Sequence, residues 1–102
     1  MELMTKELEQ RFPKLYATEK MKPKDVRIIA KYFHPFSSWT WYAVEFDSER
    51  RIFFGYVRGL ENELGYFALD EFESYRGRYG IGIERDLFFG EHSLADVMEK
   101  QL

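Results

Sequence analysis

Apolar side chains recur every fourth residue at Met4, Leu8 and Phe12, with Thr5 placed to cap and Pro13 placed to stop. That spacing predicts a short amphipathic helix. After a loop marked by Pro23 the period drops to two: in "VRIIAKYF", Val26, Ile28, Ala30 and Tyr32 point one way and Arg27 and Lys31 the other. This is the alternation of an edge-like strand. The runs "WTWYAVEF", "IFFGYV" and "LGYFAL" follow, separated by the polar turns "DSER" and "RGLENE", and predict an antiparallel meander. Beyond it, Asp70 and Glu73 have the spacing of a capping-box variant opening a helix with Phe72 and Tyr75 on its buried side and Gly77 at its end. Residues 77–92 read as loop, with a short strand or turn around Leu87 to Phe89. Ser93 and Asp96 form a second capping box, and Leu94, Val97 and Met98 make the stripe of a last helix. The order is helix, four strands, helix, loop, helix, and the expected fold is a single α+β domain over residues 1–102 with a four-stranded antiparallel meander packed by three short helices.

An even loop at "DSER" would pair Trp41 with Tyr56, Trp39 with Arg58 and Ala43 with Phe54 on one face, and Tyr42 with Gly55, Val44 with Phe53 and Thr40 with Val57 on the other. Both faces then carry rings or branched side chains and both need cover. A sheet of four strands is about 19 Å wide, roughly two helices across, so three short helices cover only about one and a half faces. Trp41, central in its strand, is expected in the core. Trp39, at the start of the same strand beside Arg58, is either core rim or part of a binding surface, and Trp39, Tyr56 and Arg58 are the candidate partner-binding residues.

The chain has 102 residues, enough for one core, and 45% of them are hydrophobic, which argues against disorder. It contains no cysteine, which removes disulfides, thiolate nucleophiles and Cys-based metal sites. The longest apolar run, Ile52 to Val57, is far too short to span a membrane, and "MELMTKELEQ" lacks a secretory apolar core, so a cytoplasmic protein is expected. A formal net charge of −3 gives no general cationic field for nucleic acid.

Candidate chemistry is sparse. His34 and His92 stand alone, in no metal-ligand spacing. Glu45 and Asp47 would share a strand face as an acid/base pair does, but at a strand end they read as a solvated turn. "GRYGIG" matches neither the dinucleotide fingerprint nor a P-loop. Arg76, Arg78 and Arg85, with Tyr75 and Tyr79, form the one basic-aromatic cluster in an acidic chain and are the candidate nucleic-acid or phosphate contacts. No nucleophile elbow surrounds any serine. The expectation is a protein without catalytic residues, cofactor or metal.

The combination "LYATE", "WTWYAVEFD", "FFGYV", "ELGYFALDE" and "IERDLFFG" resembles the bacterial family called domain of unknown function 2958, over nearly the whole chain. The resemblance implies a small accessory protein of plasmids, integrative elements or phages. The function expected from it is a non-enzymatic accessory or regulatory interaction protein of a mobile genetic element, engaging a host or element-encoded protein. The alternative is local single-strand nucleic-acid binding through Trp39, Arg58 and the Arg76, Arg78 and Arg85 loop.

Overall fold

The structure, a computed structural model, describes residues 1–100 and 102. Helix α1 (Lys6–Arg11) precedes β1 (Ala30–Phe33), β2 (Thr40–Asp47), β3 (Ile52–Arg58) and β4 (Asn62–Ala68). These are followed by α2 (Leu69–Ser74), β5 (Glu84–Arg85) and α3 (Leu94–Glu99). The fold is α+β, as the patterning predicts, but the antiparallel sheet has five strands in the order β4-β3-β2-β1-β5. The added strand precedes the predicted Leu87–Phe89 strand or turn, where the chain does turn at Leu87 and Phe88, and its two residues pair Tyr32 with Arg85 and Phe33 with Glu84. A two-residue strand has no periodicity to read; only the open edge of β1 defines it.

Helices of six residues do not persist in isolation, so each here depends on a cap and on packing. Thr5 accepts from the Leu8 amide at 3.1 Å and opens α1 as expected. The Ser93–Asp96 box is complete: the Asp96 amide donates to Ser93 Oγ at 3.0 Å and the Ser93 amide to Asp96 Oδ2 at 2.9 Å. The latter bond holds the Asp96 carboxyl below its ordinary value. The third expected cap does not form. Helix α2 starts at Leu69 without a side-chain cap, and the Leu69 amide donates instead to the Arg51 carbonyl at 3.0 Å. Asp70 and Glu73 both bind the Arg51 guanidinium, tying α2 to the β2–β3 turn. Gly77 does not end this helix either: Tyr75, in extended conformation, is its C-cap.

The core has two layers. On one face Leu3 and Leu8 from the amino-terminal segment and Leu69 and Phe72 from the α2 region cover Ala30, Tyr32, Ala43, Phe46 and Phe53. On the other, Leu94 and Val97 of α3 cover Val26, Ile28, Tyr42, Val44 and Tyr56. The single-sided strand predicted from Val26 to Tyr32 is therefore divided. Regular pairing starts only at Ala30, the Ile28 amide donates to the His92 carbonyl, and Ile29 and Ala30 both pack toward α1 and α2.

The same break in parity appears across the sheet. In β2–β3, Ala43 pairs with Gly55 but Glu45 with Phe54, which leaves Val44 as the extra residue of a β-bulge. The predicted register fails for this reason together with the longer turn. Thr40 lies opposite Arg58, Trp41 opposite Val57 and Tyr42 opposite Tyr56.

The bulge also re-aims Glu45, which is a buried latch rather than a solvated turn residue. Only 2% of its surface is exposed, and it accepts hydrogen bonds from the amides of Tyr16 (2.8 Å) and Thr18 (2.9 Å) and from the Thr18 hydroxyl. A buried carboxylate needs such partners. The latch holds the 14–21 loop, in which Tyr16 has φ 73°. Glu45→Gln can satisfy these donors only in part and is expected to cost about 1–2 kcal/mol, with raised amide exchange confined to residues 14–21. Unchanged exchange there would show that the loop is held by its own packing. Asp47 ends β2 at the edge of the turn, where its bond from Arg50 lowers its pKa.

Candidate interaction site

The bulged register places Trp39 and Trp41 on the α2 face, with ring centroids 5.8 Å apart, and sets Trp41 edge-on to Phe72 at 4.8 Å. Trp41 is half-buried, packed against the margin of the core rather than enclosed in it, and Trp39 is 36% exposed with its ring lying against Gly59. Along β4 the alternation puts Glu63, Gly65 and Phe67 on this same face, opposite Val57, Gly55 and Phe53. The helices stop short of this corner of the sheet.

The result is an open trough of about 580 Å³. Trp39 and Trp41 line its β2 side, Phe67 and Phe72 its α2 side, and Val57 and Gly65 its floor. Gly65 contributes no side chain, and a Cβ built there would meet nothing within 4 Å, so the floor is bare. The charged lining residues are Glu63 and Glu71, both exposed and, among the described residues, in no ion pair. The strand that carries Glu63 and Gly65 is the outermost of the sheet, and over its seven residues it has neither proline nor lysine nor bulge to blunt its edge, Glu63 being its one charged side chain.

The candidate residues named from sequence divide between the two faces. Tyr56 and Arg58 lie opposite to Trp39, because their cross-strand partners are Tyr42 and Thr40. Arg58 stacks over Tyr42 (5.8 Å) and Tyr56 (5.6 Å) and donates to the carbonyls of Val97 and Lys100, closing the carboxyl end of α3. Its position suits a cation at a helix C-terminus. Arg58→Ala is expected to destabilise the fold by about 1–2 kcal/mol through fraying of α3. Loss of helical signal and of protection at Val97 to Lys100 would report it, while an unchanged midpoint would show the contact to be incidental.

The three loop arginines do not share one concavity. Arg76 donates to the carbonyls of Glu73 and Tyr75 in a hollow that also holds Glu2, Glu73 and Glu84. Arg78 is exposed on the 3₁₀ turn Arg78–Gly80, where Tyr79 has φ 60°. Arg85 is half-buried on β5, with its Nε atom enclosed and unpartnered and the acidic Asp86 beside it in another hollow. Of the histidines, His34 shares a 2.6 Å hydrogen bond with the Tyr75 hydroxyl, and His92 lies 3.0 Å from the Phe89 carbonyl. Among the described residues no group of three or more His, Cys, Asp or Glu side chains converges as a metal site, and no helix is long and apolar enough to cross a membrane.

Sequence reasoning missed Glu63, Gly65, Phe67, Phe72 and Glu71 as lining residues. The alternation Glu63, Gly65, Phe67 is a readable signal for one strand face, but the arrival of Phe72 and Glu71 above it depends on how α2 folds back.

These features define a small α+β domain with an open antiparallel sheet and an uncovered aromatic trough at one edge. The chain belongs to the family described as "Protein of unknown function (DUF2958)", which it matches over residues 3–100. No curated protein and no solved structure matches it.

Proposed function

We propose that this is a non-enzymatic interaction protein that engages a protein partner through the trough and the adjoining edge of β4, acting in the cytoplasm as an accessory or regulatory factor of a mobile genetic element, the setting that the family resemblance implies. The observation that carries the reading is the exposure of Trp39, half-buried Trp41 and the unpaired β4 edge on one contiguous corner. Aromatic side chains left uncovered beside an open strand edge are a recurrent basis for protein recognition. An acidic inhibitor of a DNA-handling enzyme is one form such a factor takes.

Gly65→Lys tests this reading, since position 65 has room for a side chain and the substitution fills the trough without disturbing the core. A protein captured from the source cell is expected to bind the purified wild-type chain directly and to lose at least tenfold in affinity for Gly65→Lys. Equal binding of both forms would exclude this corner as the contact.

A further inference from the structure

The chemistry of the trough specifies what the partner presents. Its lining offers two indoles, whose faces are electron-rich, backed by the phenyl rings of half-buried Phe67 and buried Phe72, which stack on one another, and its charged groups are the carboxylates of Glu63 and Glu71. An anion entering here meets two negative charges. A purely apolar side chain gains the rings but nothing from the carboxylates, which stay in water. A cation gains from both. Among protein side chains the planar guanidinium does so most completely, stacking on an indole while donating paired hydrogen bonds to a carboxylate.

The outermost position of β4 adds the backbone component. A strand laid along its free edge satisfies main-chain donors and acceptors and directs alternate side chains to the Glu63–Gly65–Phe67 face. We propose that the trough receives the guanidinium of an arginine carried by an extended segment of the partner protein that pairs along β4. This deepens the protein-binding reading above and rests on it.

The chain's two tryptophans, Trp39 and Trp41, both line the trough, so intrinsic fluorescence reports its occupancy directly. The test titrates purified protein with the peptide acetyl-Thr-Val-Arg-Val-Thr-amide and with its counterpart carrying Ala in place of Arg, at physiological salt. The Arg peptide is expected to give a saturable change with half-saturation at least tenfold below that of the Ala peptide. The double change Glu63→Gln and Glu71→Gln, at two exposed positions, is expected to erase that preference, and Gly65→Lys to abolish the response, while Glu99→Gln on α3 leaves it intact. Circular dichroism confirms that each variant is folded.

Equal response to the two peptides, a preference that survives loss of both carboxylates, or a response retained in Gly65→Lys would overturn the proposal. So would tighter binding of a single-stranded oligonucleotide than of the Arg peptide under the same conditions. If the captured partner binds the wild-type chain and not Gly65→Lys while the Arg peptide shows no preference, the arginine inference fails and the protein-binding reading stands.

Discussion

Phe53→Ala is expected to destabilise the protein by about 3–5 kcal/mol, the range for removing a fully buried phenyl ring and leaving its cavity. Phe53 has 0% exposure and its ring lies 4.7–6.2 Å, centroid to centroid, from those of Phe12, Tyr32, Phe46, Phe67 and Phe72. It therefore joins side chains from β1, β2, β4 and α2, and no single neighbour can move to fill its place. Since small domains have only about 5–15 kcal/mol of total stability, the variant should unfold at much lower denaturant. Phe54→Ala is the control one residue away. That ring lies on the opposite face, is half-buried and contacts Tyr66 at 5.1 Å, so its loss should cost under about 1.5 kcal/mol. Urea midpoints read by tryptophan fluorescence check both. Similar costs for the two would mean that the aromatic cluster does not organise the core.

Gly55→Ala is expected to cost about 2–3 kcal/mol or more, whereas Gly65→Ala should be neutral or stabilise by up to about 1 kcal/mol. The two glycines face each other across β3 and β4. A Cβ on Gly55 would lie 2.0 Å from the Tyr42 carbonyl oxygen and 3.0 Å from the Ala43 Cα, all backbone atoms beside the bulge that cannot rotate aside. A Cβ on Gly65 would project into the empty trough. Relief of the Gly55 contact requires β2 and β3 to separate, so loss of stability should be accompanied by faster amide exchange at Tyr42 to Glu45. Comparable stabilities for the two variants would show that β2 shifts freely at the bulge.

The two predictions also mark the boundary of what local patterning conveys. The alternation of rings in "WTWYAVEFD" and "IFFGYV" is enough to place both segments in a sheet buried on two sides, because period two leaves no other regular conformation that buries so many of them. It is not enough to say which ring shares a face with which. One extra residue, Val44, reverses the parity of everything beyond it, and a turn of four residues rather than two moves the register again. Arg58 thus moved from a partner of Trp39 to the closing contact of α3, and Glu45 from a turn residue to the anchor of a distant loop. Neither change leaves a mark in composition or spacing, since both depend on segments 27 or more positions away.

By itself the sequence determined the α+β class, the meander, the caps at Thr5 and Ser93, the family and the absence of any cysteine chemistry. These follow from short-range periodicity, from capping hydrogen bonds that span three residues, and from composition. Tertiary structure alone decided the fifth strand, the division of Trp39 from Tyr56 and Arg58, the burial of Glu45 and the trough itself. A concavity is the space that packing leaves uncovered, and here it exists because α2 folds back over Phe53 and Phe67 but ends before it reaches Gly65. Such a gap is a property of how elements meet, and no segment of the chain encodes it locally.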